Sequence, residues 1–138
     1  MPAYRARLTL PFKIGYLAQD GSEVIGLLNL TASELQVEYQ LETQKFTTVE
    51  RSELSYLKLL LDEIAQIELK DRWLWATLTL QMRHIDALES LPKSRQGRIS
   101  LTIGRGDREI AKQFVRILSQ YLAEHDLEQL ERDLRGDE

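Results

Sequence analysis

Gly104-Arg105-Gly106-Asp107-Arg108-Glu109 is the stretch whose residue types and spacing come nearest to a ligand-binding turn: two glycines at the end of an apolar, strand-like run that opens a helical pattern. In a dinucleotide-binding turn, glycines let the backbone approach a pyrophosphate seated at a helix N-terminus. Here Glu109 occupies the third glycine position and would set negative charge beside the phosphates, and no later strand completes a β-α-β unit. The pattern therefore reads as a flexible turn into a helix whose first turn Asp107 caps. Arg105-Gly106-Asp107 also spells an adhesion tripeptide, of little use to a chain expected to stay inside the cell.

The other candidates are sparser. His84 and His125 are the two histidines, distant in sequence and without a repeated carboxylate or cysteine spacing around them, so no metal site is expected. Neither G-x-S-x-G nor H-E-x-x-H occurs, and a Ser/His/Asp set could be assembled only by arbitrary choice. Asp62-Glu63 reads as the polar part of a turn, and the sequon Asn29-Leu30-Thr31 falls in a predicted strand. No catalytic residue, cofactor or metal is expected, and the protein is read as a non-enzyme.

The elements that would position these residues are legible in the hydrophobic pattern. With 138 residues, 43% hydrophobic, the chain suits one domain with a proper core. There is no cysteine, so the fold rests on packing alone and fits a reducing compartment. The N-terminus lacks a signal-like apolar region and no run is long enough to span a membrane, so a cytoplasmic location is expected. Net charge is −4, which argues against nucleic-acid binding. The segment 83–116 nevertheless carries eight basic and four acidic residues, leaving −8 for the remainder. A solvated face explains this asymmetry most simply; steering of an acidic partner or an anionic membrane is the sharper reading.

In order along the chain, residues 7–12 predict an edge strand, because Pro11 disfavours a central one, and residues 14–17 a second short piece. Gln19-Asp20-Gly21-Ser22 is a turn. Residues 23–30 form a strand apolar on both faces, which suggests cover on both sides. After a turn at Thr31-Ala32-Ser33, residues 34–42 alternate cleanly, with Leu35, Val37, Tyr39 and Leu41 on one face. Residues 43–50 read as an exposed loop or a frayed hairpin arm. Residues 52–62 fit either period, and strand is preferred. Residues 64–70 predict a strand with Ala65, Ile67 and Leu69 inward, followed by a turn at Asp71-Arg72 and a strand over 73–80 with Leu74, Ala76, Leu78 and Leu80 inward.

Trp73 and Trp75 then share the outer face. Such aromatics either anchor a partner or lie beneath the N-terminal segment or the C-terminal tail, and covering is the preferred reading. Residues 84–91 are a short strand or helical turn, 93–97 a basic loop, and 98–103 the last strand. Ile110, Phe114, Ile117, Leu118, Tyr121 and Leu122 define an amphipathic helix over 104–122, about 27 Å long. Beyond it, Leu127, Leu130 and Leu134 continue an apolar line through charged sequence, in a tail that extends the helix against a neighbour or frays.

This gives a mainly β chain with one C-terminal helix (α+β): about seven antiparallel strands capped by an amphipathic helix. Residues 1–125 make one domain and 126–138 a charged helical extension or tail. The residues Gly26-Leu27-Leu28-Asn29-Leu30-Thr31, then Glu34-Leu35-Gln36-Val37-Glu38-Tyr39, carry a resemblance, as do the run from Leu61 to Lys70 with its following tryptophan and residues 98–103 leading into Asp107-Arg108-Glu109-Ile110-Ala111. Over residues 22–122 the order of strands and turns resembles the pleckstrin-homology-like (PH-like) superfold, more locally its bacterial PH-like and GRAM-like domains. The resemblance implies a bent sheet plugged at an open corner by the helix.

It also implies a binding module for lipids, peptides or partner domains, often a homo-oligomer. Lipid-binding members grip the headgroup with basic residues around the first hairpin loop. The corresponding residues 16–23 here hold Asp20 and Glu23 and no Lys or Arg. An anion site would have to use Lys93, Arg95, Arg98 and Arg105 instead.

The resulting expectation is a non-enzymatic PH-like interaction module, making protein–protein contacts or associating with itself, with Trp73, Trp75, Leu127, Leu130 and Leu134 as contact residues. The alternative is a peripheral module that binds anionic lipid through the basic segment 93–116. An enzyme on an unrelated α+β scaffold ranks third, for want of any motif.

Overall fold

The computed structural model describes residues 8–15, 22–45 and 47–136. The expected turn at Gln19-Asp20-Gly21 and the second short piece at Tyr16 and Leu17 lie outside them. Among these described residues, eight antiparallel strands run in the order β1 (Leu8–Ile14), β2 (Glu23–Leu30), β3 (Glu34–Gln44), β4 (Val49–Arg51), β5 (Ser55–Leu60), β6 (Ile64–Asp71), β7 (Trp75–Met82) and β8 (Arg98–Gly104). The helix α1 (Arg108–Gly136) closes the chain. This mainly antiparallel open sandwich with one C-terminal helix is the α+β arrangement expected, and it is consistent with a PH-like fold. No helix is long and apolar enough to cross a membrane among the described residues.

The sheet order is β4-β3-β2-β1-β8-β7-β6, with β5 also paired to β3. β5 lies beside residues 34–39 of β3 and β4 beside residues 42–44, so the two share one edge of the sheet. Alternation drives the strands together: Ile99, Leu101 and Ile103 of β8 are buried while Ser100 and Thr102 face water. Leu10, Phe12 and Ile14 of β1 and Ala76, Leu78 and Leu80 of β7 do the same from the two halves of the sheet. Between those halves, β1 and β8 share one register pair, Lys13↔Thr102. Ala111, Phe114 and Leu118 of α1 fill the space that remains, each with no exposed surface. Burying a phenylalanine ring in this way contributes about 3 kcal/mol.

Several local expectations change. β1 is central, between β2 and β8, and tolerates Pro11 because its ladder with β8 is reduced to that single pair. Residues 43–50 are a hairpin arm, with Glu42↔Arg51 and Gln44↔Val49 in register. The 52–62 ambiguity resolves into β5 followed by a 3₁₀ turn, Leu61–Glu63. Ala65 is exposed, not inward: a register shift between Ile64 and Gln66 lets Ile64 and Ile67 both face the core. Leu74 is exposed because β7 starts at Trp75, two residues later than expected, and Leu74 falls in the turn before it. Residues 84–91 are successive turns from which Leu88 and Leu91 are buried.

The helix starts at Arg108, after a 3₁₀ turn Arg105–Asp107 that has no side-chain cap, so Asp107 does not play the capping role expected of it. The inward stripe is rotated by one residue at its start: Ala111 is buried and Ile110 is exposed. Past Leu122 the helix continues without a break to Gly136.

Gly26 sits in β2 with Phe12 and Tyr39 as its register neighbours. A Cβ there would meet the Glu38 carbonyl oxygen and the Phe12 ring, whereas one at Gly106 would meet open space. Gly26→Ala is expected to cost about 1–3 kcal/mol in urea denaturation. Gly106→Ala is expected to stay within about 0.5 kcal/mol of the parent, since no contact is disturbed.

Candidate functional site

The residues singled out from the sequence fall into three separate places. The first is the turn between β6 and β7. Arg72 N–H donates to the Trp75 carbonyl (2.8 Å), closing a four-residue turn with Trp73 and Leu74 at its tip. Trp73 is 81% exposed and Trp75 43%. The C-terminal tail does not cover them: Leu127 lies about 28 Å along the helix from Arg108, which is beside this turn. The N-terminal residues 1–7 are outside the described chain. Asp71, Arg72, Trp73, Leu74 and Trp75 line a shallow depression of about 430 Å³.

The first turn of α1 fastens this tip to the domain. Arg108 Nη1 donates to Asp71 Oδ1 at 2.9 Å and its Nη2 to the Trp73 carbonyl at 2.6 Å. Lys112 Nζ stands 3.4 Å from Asp71 Oδ2 and 3.4 Å from Glu109 Oε1. The Arg108 hydrogen bond holds the Asp71 carboxyl below its ordinary 3.8, with Lys112 adding to the effect. Lys112 is raised above 10.5, first by its bond to Glu109 and then by Asp71. These shifts come from ion pairs that pin a turn to a helix, and they give no free acid or base.

The second place is the C-terminal part of α1. Leu127, Leu130 and Leu134 are 57%, 56% and 76% exposed. They belong to the roughly 21 Å of helix that follows Leu122. Where this extension leaves the sheet, Arg83 bridges to Asp126 at 3.6 Å and its Nε donates to the Asp62 carbonyl at 2.9 Å. His125 borders the depression between them. The two tryptophans and the three leucines are thus not one interface.

The third place is the basic loop. Lys93, Arg95 and Arg98 line a depression of about 530 Å³ together with Ile14, Gly15 and Ser100. Lys93 Nζ donates to the Gly15 carbonyl at 2.7 Å. Arg95 and Arg98 exchange backbone hydrogen bonds, and left-handed φ at Lys93 (64°), Gln96 (53°) and Gly97 (75°) folds the loop tightly. A Cβ at Gly97 would strike the His84 carbonyl region, so glycine is required there. Arg105 is not part of this cluster: it follows β8 at the end opposite Arg98, about 20 Å away.

One feature escaped the sequence reading. Where β1 and β8 part, Pro11, Lys13, Ile25, Leu27 and Leu54 line a groove of about 660 Å³ with Glu38, Glu42 and Arg51. Its signal was present in β2, apolar on both faces: Ile25 and Leu27 are the second face, half-buried in this groove. The glycine turn shows no need for backbone approach by a ligand, since Gly106 has open space around it. No group of three or more His, Asp or Glu suited to a metal occurs among the described residues.

The Asp71 clamp predicts a pH effect with a definite sign. A carboxylate depressed in the folded state adds stability above its ordinary pKa and loses it as pH falls through the folded value. Lys112, raised, loses its share only as pH climbs past its folded value, above 10.5. Between these limits the turn should be fully fastened. Emission from Trp73 and Trp75 is expected to change with a midpoint below 3.8, and Arg108→Ala to move that midpoint up towards 3.8. Compared with family models, curated proteins and solved structures, the chain has no match.

Proposed function

We propose that this chain is a non-enzymatic interaction module of the PH-like kind, acting in the cytoplasm, whose exposed apolar side chains engage a protein, either another chain or a second copy of itself. The observation that carries the reading is the clamped tryptophan tip. An indole 81% exposed at Trp73, on a turn whose backbone Arg108 holds through Asp71 and the Trp73 carbonyl, is an aromatic anchor for which the backbone part of the ordering cost is already met before a partner arrives. A tip left apolar and rigid in water gains most from a partner that covers it. The ion-paired state of Asp71 and Lys112 supports the non-catalytic part, since both groups are engaged in holding the tip.

These two tryptophans are the only ones in the chain, so they report on their own surface. If the tip self-associates, their emission shifts to the blue as protein concentration rises, and light-scattering mass rises with it. Trp73→Ala should then lower the association constant at least about tenfold, as removal of an anchor does, while leaving the melting temperature within about 2 °C. Should mass and emission be independent of concentration, the partner is another protein. Capture of the wild type but not Trp73→Ala and Trp75→Ala by an interacting chain would then carry the reading. Equal behaviour of wild type and both variants in every assay defeats it.

A second reading rests on the convergence of Lys93, Arg95 and Arg98 on one depression beside the end of β1. Three cations around a concave site suit an anionic lipid headgroup at a membrane surface. Flotation with vesicles containing phosphatidylserine, but not with neutral ones, is its expected result. Binding should weaken with salt and vanish in Arg95→Glu/Arg98→Glu, whereas Arg105→Glu, at the far end of β8, should bind as the wild type does. Flotation that ignores salt and both reversals excludes it.

A further inference from the structure

The helix α1 carries two apolar stripes on opposite sides. Taking Leu118 as the reference, a turn of about 100° per residue puts Ala111, Phe114, Leu122 and His125 within about 40° of it. The same arithmetic puts Leu127, Leu130 and Leu134 at about 120–180°, away from the face that meets the sheet. Their i, i+3, i+7 spacing is the alternating a/d line of a helix–helix seam, and Ala123 extends it by one position. All three leucines are exposed.

The flanks of this seam are uniformly acidic. Glu124 and Glu131 border it on one side and Asp126 and Asp133 on the other, while Arg132 and Arg135 are turned away from it. Asp126 pairs with Arg83 at 3.6 Å and Asp133 accepts from Gln129 Nε2 at 3.2 Å. Glu124 and Glu131 have no ion-pair partner among the described residues. A second copy on this seam would oppose acid to acid in either orientation, because parallel packing sets one flank against the other and antiparallel packing sets each flank against itself. An anionic membrane meets the same repulsion.

We propose that the seam of Leu127, Leu130 and Leu134 docks an amphipathic helix of another protein, with an apolar line of the same pitch flanked by lysine or arginine. This rests on the interaction-module reading and names the partner class for one of its surfaces. The seam is short, about 10 Å from Leu127 to Leu134, so binding leans on the flanking charges and is salt-sensitive. Specificity comes from the repulsion as much as from the attraction.

The test uses the full chain and two labelled helical peptides with the same leucine line, one flanked by lysine and one by glutamate, followed by fluorescence anisotropy. The lysine peptide should bind saturably and the glutamate peptide should not. Leu127→Gln/Leu130→Gln/Leu134→Gln keeps good helix formers on an exposed face and should weaken binding at least about tenfold with unchanged circular dichroism. Glu124→Lys/Glu131→Lys should reverse the preference towards the glutamate peptide. The proposal is overturned by equal binding of the two peptides, by lysine-peptide binding that survives the glutamine variant, or by no lysine-peptide binding up to about a hundred micromolar. A dimer that reverts to monomer in the glutamine variant overturns it too, since the occupant is then a second copy. None of these outcomes touches Trp73, so the broader reading stands or falls separately on the Trp73→Ala comparison.

Discussion

Phe114 and Leu118 lie without solvent exposure in a gap that backbone hydrogen bonding does not close. β1 and β8 meet at one register pair, and β5 passes to β6 through a 3₁₀ turn with no ladder between the two strands. A sheet bent in this way leaves apolar side chains of both halves facing a common opening, and the cost of wetting them fixes where the helix must sit. Much else follows. Ala111 at the start of the helix is fully buried, and Arg108 reaches Asp71 and Trp73 because the first helical turn is brought beside the β6–β7 turn.

The electrostatic character also depends on that placement. In the sequence, the +4 of residues 83–116 looks like one basic stretch. Folding distributes it: Arg108 and Lys112 are spent on the Asp71 clamp, Arg83 on the carbonyl of Asp62 and the carboxylate of Asp126, and Arg105 is sent to the far end of β8. What remains together is the loop set of Lys93, Arg95 and Arg98. Charge counted along a chain is not charge on a surface when adjacent elements run in opposite directions.

Alternation of period two made β3, β7 and β8 legible, since each buries one row of side chains against a common core, and β2 was legible as an apolar run with both faces covered. The helix was legible for the same reason at its own period. Errors arose where the period is broken by something a single strand does not encode. The bulge at Ala65 depends on its pairing with β7, and the central place of β1 depends on how far β8 is from it. Asp107 missed its capping role because a 3₁₀ turn precedes the helix. Of the candidate residues, the basic loop was readable except for Arg105. That the tryptophans and leucines belong to different surfaces was not, because the separation is a helix length, and the charged sequence past Leu122 left open whether the helix extends or frays.

That unbroken run bears on how the last residues hold their shape. Starting a helix in water is costly, with a nucleation factor near 10⁻³, while adding a residue to one already formed costs little. Residues 108–122 are nucleated by burial against the sheet, so the extension beyond them needs only propagation. Its helicity is therefore borrowed from the core, and a peptide of residues 126–138 cut free would revert to coil.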